Sequence, residues 1–432
     1  MNEYFIFFRN VAFFFATAML VKYYVFLLVA PFYPVQEALR RFRLERNRKR
    51  SGAIRYVPKV SVIIPAWNEE VGILKTVTSV LWGKYRNTEI IVVNDGSTDG
   101  SHQVMQEFIA DGLKRGLFDE GKIRYFYKEN GGKGAALNFG IGRALGEIVL
   151  TVDADSALEK NAIARLVEYF EDKRIDAVVG NVRVAKNPSV VGFTQQLEYL
   201  FGFYFKRAHS VLGAEYIFGG ACAAFRKSAV FDRLGLFDTS NKTEDIEMSM
   251  RIRYHGLRSA YAEDVICYTE GASTIHGLIN QRLRWKKGRM DTFLKYRRIF
   301  FSFDWRQHNV FLSWFVLPFS LLAEIQLLFE PISITFLATY SFVSGDYLSI
   351  TLGSLFVLVI YIVTAFFSGD LKLMWILFLF PFTWPLFYFL VWVEYLALLK
   401  SIKMVFRGDD IEWQKWKRQG VSETSVSDVL TH

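Results

Sequence analysis

The sequence has few of the residues that build disulfide-linked or zinc-bound scaffolds. Only Cys222 and Cys267 are cysteines, and six of the 432 residues are histidines. Two thiols cannot form a disulfide framework, and neither lies in the Cys-x-x-Cys or Cys/His spacing of a zinc site. This scarcity is typical of a domain that faces the cytosol.

Two common nucleotide-binding signatures are also missing. The glycine-rich turn Gly131-Gly132-Lys133-Gly134 is neither a Walker A sequence nor a G-x-G-x-x-G after a first strand, which disfavours ATP and NAD as ligands. Glycines before a helix still allow backbone N–H groups and Lys133 to approach a phosphate. An ordinary loop is the alternative interpretation of this turn.

Charge and hydropathy together indicate a membrane. The chain carries a net charge of +9, and 52% of its residues are hydrophobic. The basic excess lies beside apolar segments, in Arg40 to Arg50 and in Lys286 to Arg298. Because the positive-inside rule and anionic headgroups favour this arrangement, we expect a membrane partner and no nucleic acid.

The apolar segments lie at the two ends of the chain. Val11 to Tyr33 is long enough to cross a bilayer, and its length and the lack of a small-residue cleavage site argue against a signal peptide. Three apolar stretches follow the central region: Val310 to Phe342, Tyr347 to Phe367 and Leu371 to Leu399.

Acids and prolines are expected to interrupt two of these stretches. Glu324 and Glu330-Pro331 interrupt the first, and Pro381 and Pro385 interrupt the third. One span plus three would place the basic tail outside the cell, against the positive-inside tendency. The sequence therefore leaves the number of spans open.

The central region alternates strands with helices. Four buried strands are predicted at 60–64, 89–93, 123–127 and 147–150. This alternation predicts an α/β domain with a parallel, doubly wound, Rossmann-like nucleotide-binding sheet. A helix is expected to begin at Ser156, and the aromatic-rich segment Phe193 to Gly213 is interpreted as a packing helix.

Asp153 and Asp155 follow the fourth strand, at the edge where open α/β sheets bind their ligands. Side chains two positions apart on an extended segment share a face. Both carboxylates can therefore address one hard cation and the diphosphate that it carries. A solvated turn is the alternative, because aspartate is common in turns.

Three other clusters carry polar groups. Asp95 ends the second strand, where it can accept a hydrogen bond from a uracil imide or form a simple Asx turn. Thr243-Glu244-Asp245 opens a helix, where carboxylates can also just complement the helix dipole. Gln281, Arg284 and Trp285 share one helix face, which suits either a phosphate clamp with a sugar-stacking plate or an amphipathic surface.

These motifs, taken in order and followed by apolar spans, resemble the processive membrane β-glycosyltransferases of family 2. That family includes the cellulose, chitin, hyaluronan and poly-N-acetylglucosamine synthases. The resemblance covers Val60 to about Arg298 by motif and the spans by layout. It implies a GT-A-type nucleotide-sugar domain combined with transmembrane α-helices.

The resemblance also implies roles for individual residues. Asp245 would be the general base, with Glu244 beside it as a second catalytic residue, and Asp155 with Asp153 would bind Mg²⁺ or Mn²⁺. The implied donor-binding residues are Pro65, Ala66, Asn68, Glu69, Asp95, Lys133, Asp153 and Arg284. The implied acceptor-binding residues are Gly219, Gly220, Gln281 and Trp285.

The implied reaction is an inverting, processive transfer from a UDP-sugar to a growing β-linked polysaccharide, which then passes across the membrane. Thr-Glu-Asp and Gln-Arg-Leu-Arg-Trp are most similar to the poly-N-acetylglucosamine synthases, which favours UDP-N-acetylglucosamine as the donor. Non-processive transfer to a lipid acceptor, a hyaluronan- or chitin-type synthase and a transporter with an inactive domain are the alternatives. Only one N-terminal span is visible, so the sequence leaves open whether the protein has a small membrane partner subunit.

The expected organisation has four parts. A membrane anchor and basic segment at 1–57 precede a cytosolic catalytic domain at 58–298. Transmembrane helices at 299–400 and a basic amphipathic tail at 401–432 follow. The expected location is the plasma (inner) membrane, with a multi-pass chain and a cytoplasmic catalytic domain.

Overall fold

The computed structural model describes residues 3–51, 56–185, 189–367 and 383–407. An eight-stranded sheet in the order β3-β2-β1-β4-β7-β6-β8-β5 forms its centre. The strands are β1 (Val60–Ala66), β2 (Thr88–Asp95), β3 (Ile123–Lys128), β4 (Ile148–Thr151), β5 (Ser156–Leu158), β6 (Ala177–Val184), β7 (Ala223–Arg226) and β8 (Ser259–Thr269).

The sheet is mixed, so the prediction of a parallel sheet is confirmed for one half only. Strands β1 to β4 are parallel, as the βα alternation predicts. In the other half β7 runs antiparallel to β4 and β6, and β5 runs antiparallel to β8. Apolar runs report that a strand is buried on both faces, but they do not report its direction.

Helices pack against both faces of the sheet, and further helices precede β1 and follow β8 in the sequence. They are α1 (Glu3–Val29), α2 (Tyr33–Ser51), α3 (Ile73–Leu81), α4 (Ser101–Lys114), α5 (Lys133–Ile141), α6 (Ala162–Phe170), α7 (Val190–Val211), α8 (Lys227–Leu234), α9 (Glu244–Tyr254), α10 (Ile275–Lys295), α11 (Leu317–Ser344), α12 (Leu348–Phe367) and α13 (Thr383–Arg407). The expectation of a helix at Ser156 is wrong. That segment forms β5, because it pairs with the end of β8, and the next helix begins at Ala162.

Alternating side chains of the central strands build two apolar layers. Val62 and Ile64 of β1 point to one layer, whereas Ile63 points to the other, and all three are fully buried. This period of two, with both faces apolar, is what a sheet covered by helices on both sides requires. The doubly wound architecture is therefore confirmed.

Within the described residues, two helical stretches, Thr17–Arg50 and Leu312–Ser344, are long and apolar enough to cross a membrane. The sequence predicted that Glu324 and Glu330-Pro331 interrupt the first C-terminal apolar stretch. This prediction is wrong for the helix itself, because Glu324 and Pro331 both lie inside the continuous α11. Proline is tolerated in such helices where neighbouring groups satisfy the freed backbone carbonyl.

The remaining apolar stretches are described in part. The stretch from Tyr347 corresponds to α12, and the stretch from Leu371 corresponds to α13 from Thr383 onward. Residues 371–382, including Pro381, and the tail beyond Arg407 lie outside the described residues.

The basic segment after the first candidate span packs against the α/β domain. The Tyr33 hydroxyl donates a hydrogen bond to the Tyr261 carbonyl oxygen at 2.9 Å. Arg41 forms an ion pair with Asp264 at 2.9 Å. Helix α2 is therefore attached to the edge of the sheet, and the domain boundary at 57 and 58 stays a prediction.

Candidate active site

One cavity of about 750 Å³ lies at the carboxyl ends of β1, β2 and β4. It gathers residues from each of the five motifs, which are far apart in the sequence. The predicted site residues that line it are Pro65, Ala66, Glu69, Asp95, Lys133, Asp153, Asp155, Gly219, Gly220, Glu244, Asp245, Gln281, Arg284 and Trp285. The fold thus brings the predicted residues together, while their individual roles stay predictions.

Asn68 is the exception, since it is not among the residues that line the cavity. Its backbone has a positive φ of 53°, and its side-chain oxygen accepts a hydrogen bond from the Thr98 N–H at 2.8 Å. Its own N–H donates to the Ser97 hydroxyl at 2.9 Å. In this structure Asn68 fixes the loop after β1 against the loop after β2.

Asp95 organises the glycine-rich turn. Its carboxylate accepts hydrogen bonds from the N–H groups of Gly131, at 3.1 Å, and Gly132, at 2.7 Å. Gly132 has a φ of +87°, a conformation that residues with a side chain rarely adopt. The end of β2 therefore sets the start of α5 and the position of Lys133.

Lys133 connects the acids after β4 to the Thr243-Glu244-Asp245 motif. Its ammonium lies 2.7 Å from Asp153 Oδ1 and 3.3 Å from Glu244 Oε1. Burial alone would lower the pKa of Lys133, but the carboxylates of Asp153, Glu244 and Asp245 raise it above its ordinary value. Lys133 therefore stays positively charged at neutral pH.

Glu244 and Asp245 begin α9 and meet a glycine corner. The Gly220 N–H donates to Asp245 Oδ2 at 2.9 Å, and the Ile246 N–H donates to Oδ1 at 2.9 Å. A Cβ on Gly220 would lie 2.8 Å from the Lys133 ammonium and 3.3 Å from Asp245 Oδ2, so a side chain here would require the ammonium to move. Burial raises the pKa of Glu244, Lys133 opposes that shift, and Asp245 adds to it.

The carboxylates of Asp153 and Asp155 line the cavity, where their oxygens can bind a metal ion. Asp155 is 9% exposed, and its Oδ1 accepts hydrogen bonds from the hydroxyls of Ser156, at 3.1 Å, and Thr269, at 3.3 Å. The described residues contain no group of three or more His, Cys, Asp or Glu that could hold a metal alone. Mg²⁺ is commonly held by one or two carboxylates together with substrate phosphates, so this pair fits such an ion.

Helix α10 carries Gln281, Arg284 and Trp285 into the cavity from a single face, as predicted. The Arg282 guanidinium lies 4.3 Å from the centroid of the Trp285 ring. This cation–π contact covers one face of the indole and holds the ring in place.

Sequence reasoning missed the contribution of α7. Tyr199, Phe203 and Lys206 of this helix line the cavity, so its interpretation as a packing helix is wrong for this face. Their spacing of four and three residues places them on one side of the helix. A polar Lys206 aligned with Tyr199 was the available signal, but it was hidden among the aromatic residues of the segment.

Gly288 of α10 allows the close approach of α9, which leads to a prediction. A Cβ at this position would overlap the Thr243 hydroxyl and lie 2.7 Å from its Cγ2. We expect Gly288→Ala to displace Thr243-Glu244-Asp245 and to reduce any activity that depends on these carboxylates by about 10²-fold, as a misplacement of about 1 Å can do. The turnover rate of the purified variant measures the effect.

Gly142→Ala is the matched control for this substitution. Gly142 ends α5 with helical φ and ψ, and its Cβ would meet no atom closer than 3.5 Å. Equal activity of the Gly288→Ala and Gly142→Ala proteins would show that the contact between α9 and α10 does not position the motif.

Comparison with known sequences identifies the family. The profile of glycosyl transferase family 2 matches residues 61–233, and that of glycosyl transferase family group 2 matches residues 148–399. A poly-β-1,6-N-acetyl-D-glucosamine synthase of Staphylococcus aureus (strain COL) is 33% identical over 61% of this chain. The enzyme of the same name from Staphylococcus epidermidis is 32% identical over 55% of this chain and 56% of its own length.

The match spans about 61% of the length of the Staphylococcus aureus relative. Among solved structures, a mannosyltransferase from Pyrobaculum calidifontis, determined in complex with GDP-Man and Mn²⁺, aligns with 79% of this chain and 98% of its own. The TM-score is 0.50 at 21% identity, which supports the GT-A fold alone. With the second profile covering more than half of the sequence, the chain belongs to glycosyl transferase family 2.

Proposed function

We propose that this protein polymerises N-acetylglucosamine from UDP-N-acetylglucosamine into a β-linked polysaccharide and passes the product across the membrane. The observation that carries the proposal is the single cavity in which Asp155, Lys133, Asp245 and Trp285 meet, next to apolar helices. The names of the staphylococcal relatives support the choice of sugar. We place the protein in the plasma (inner) membrane, which the chain crosses several times, with the cavity on the cytoplasmic side.

Asp245 is the proposed general base. It takes the proton of an acceptor hydroxyl while that oxygen bonds to the anomeric carbon of the donor sugar. The bond from the anomeric carbon to the UDP oxygen breaks on the opposite face, so the configuration inverts. The backbone N–H of Gly220 holds the Asp245 carboxylate in one orientation.

The leaving UDP carries the negative charge that develops. Lys133 and Arg284 both face the cavity and bind the diphosphate as fixed cations. A divalent ion held by Asp153 and Asp155 would supply further charge neutralisation and orient the phosphates. Trp285 offers the acceptor sugar an apolar plate on which to stack.

Incubation of the purified protein in lipid nanodiscs with individual UDP-sugars tests the proposal. We expect UDP release with UDP-N-acetylglucosamine and a polymer that a β-1,6-hexosaminidase degrades. A product of single-sugar size on a lipid would favour the non-processive alternative. Release of UDP from none of the UDP-sugars tested would refute a transferase function.

Removal of divalent ions is expected to abolish the transfer. Chelation should stop UDP release, and added Mg²⁺ or Mn²⁺ should restore it, because Asp153 and Asp155 provide too few ligands to retain an ion without the diphosphate. Asp155→Ala should remain inactive at every ion concentration, whereas Asp111→Ala, which changes an exposed acid on α4, should behave as the unchanged protein. Full activity of the Asp155→Ala protein would contradict the proposed metal site.

A further inference from the structure

The segment between α10 and α11 displays large aromatic side chains to the exterior. We call this set the aromatic platform; it consists of Phe301, Phe303, Trp305, Phe311 and Trp314, whose exposed fractions are 52%, 74%, 67%, 49% and 39%. The Trp314 ring lies 5.3 Å from that of Phe301 and 5.0 Å from that of Phe303, centroid to centroid. Phe301, Phe303 and Trp314 therefore form one exposed aromatic cluster, and a large exposed apolar surface marks a site of protein or membrane interaction.

The platform is held in place from below by hydrogen bonds. The Phe301 N–H donates to the Ser313 carbonyl oxygen at 3.0 Å, and the Trp314 indole N–H donates to the Ser302 carbonyl oxygen at 2.9 Å. His308 is buried, and its ring nitrogens lie 2.7 Å from the Ser302 hydroxyl and 3.1 Å from the Tyr254 carbonyl oxygen. The loop is thus fixed to the end of α9, so the exposure of its aromatic rings is a property of the fold.

The location of the platform identifies what covers it. Phe311 directly precedes the apolar stretch Leu312–Ser344, one of the two candidate spans. The other candidate span comes close at the same level, because Phe26 of α1 contacts Phe315 with ring centroids 5.9 Å apart. The platform therefore lies where both apolar helices leave the catalytic domain.

Charge around the platform agrees with this location. Arg297, Arg298 and Arg306 are exposed beside it, and Asp304 is the acid within the loop. Aromatic rings are enriched at the level of lipid headgroups, and clustered arginines are attracted to anionic lipids. A bilayer surface that contains anionic phospholipid matches both features.

We propose that the aromatic platform inserts into the headgroup region of the membrane and sets the height of the catalytic domain above the bilayer. Phe303 and Trp305, the most exposed members, penetrate furthest, while the three arginines contact lipid phosphates. This surface contributes no residue to the cavity described above. The inference rests on the proposed membrane location, and it does not depend on which sugar the protein transfers.

Spin-label depth measurements test the proposal on the full chain in nanodiscs of phosphatidylcholine with phosphatidylglycerol. Single nitroxide labels are placed through Phe303→Cys and Trp305→Cys, and Leu113→Cys, at an exposed leucine of α4, is the control. The native Cys222 and Cys267 are buried, which favours labelling of the introduced thiols. The measured quantity is collision of each label with oxygen relative to a water-soluble nickel chelate.

We expect labels at 303 and 305 to collide more with oxygen than with the chelate, and the label at 113 to show the reverse. Labels at 303 and 305 as accessible to the chelate as the one at 113 would overturn the proposal and leave the platform available to a protein partner. Replacing Arg297, Arg298 and Arg306 by glutamine should move the label at 303 toward water in nanodiscs that contain phosphatidylglycerol. An unchanged depth would overturn the part assigned to the arginines.

Discussion

Asp245→Asn protein is expected to bind the UDP-sugar normally and to transfer the sugar about 10²–10⁴-fold more slowly, the range that loss of a general base produces. The substitution preserves the size of the side chain and an oxygen that can accept the Gly220 N–H hydrogen bond. It removes the one feature that the proposed mechanism requires of this residue, a carboxylate that takes the acceptor proton. Rates of UDP release at saturating donor measure the loss.

Two measurements separate this role from a structural one. Donor affinity, measured by calorimetry, should be unchanged in the Asp245→Asn protein, because Lys133 and the strand-end acids are untouched. Asp232→Asn, which alters an exposed acid of α8, should retain full activity. Transfer by the Asp245→Asn protein at the rate of the Asp232→Asn protein would assign the base to another group.

Lys286→Met should destabilise the protein by about 3 kcal/mol, the lower end of the cost of removing one partner from a buried ion pair. The Lys286 ammonium lies between two acids of the apolar helices, 2.7 Å from Glu324 of α11 and 2.8 Å from Glu394 of α13. Methionine has a similar length but no charge, so Glu324 would keep Arg289 as its partner at 2.9 Å and Glu394 would keep Arg282 at 3.2 Å. Unfolding of the purified protein in mixed micelles of mild detergent and SDS measures the difference.

The matched control is Lys287→Met, one residue further along α10. Lys287 pairs with the more exposed Asp291 within the same helix, a type of pair that contributes about 0.3–0.5 kcal/mol. Equal stability of the two variants would show that the buried network is not required for the contact between α10 and the apolar helices.

A double variant tests the reason for the loss. In Lys286→Met with Glu394→Gln, the charges that remain still have partners, because Arg289 contacts Glu324 at 2.9 Å and Arg282 pairs with Glu198. Replacing both members of a buried pair is often nearly neutral, so most of the stability should return. A double variant that is as unstable as Lys286→Met alone would point to lost packing in place of unpaired charge.

Much of the site could be predicted from the sequence because its motifs are local. Asp153 and Asp155 follow a buried strand directly, and the acids of α9 follow a polar loop directly, so each could be placed at an element end from its neighbours in the chain. The contribution of Tyr199 and Lys206 could not be predicted in this way. Whether one face of a helix packs or lines a cavity depends on elements that are distant in the sequence.

The alternation of strands and helices, the apolar ends and the residue types of each motif can all be inferred from the local sequence, since they follow from hydropathy period and turn chemistry. The antiparallel direction of β7 and β5, the hydrogen bonds from the glycine turn to Asp95 and the buried ion pairs between α10 and the apolar helices became clear from the folded chain alone. Strand direction, burial and charge pairing are properties of contacts between distant segments. A local sequence pattern cannot predict such a contact, because the residues around each partner in the sequence carry no information about which distant segment packs against it.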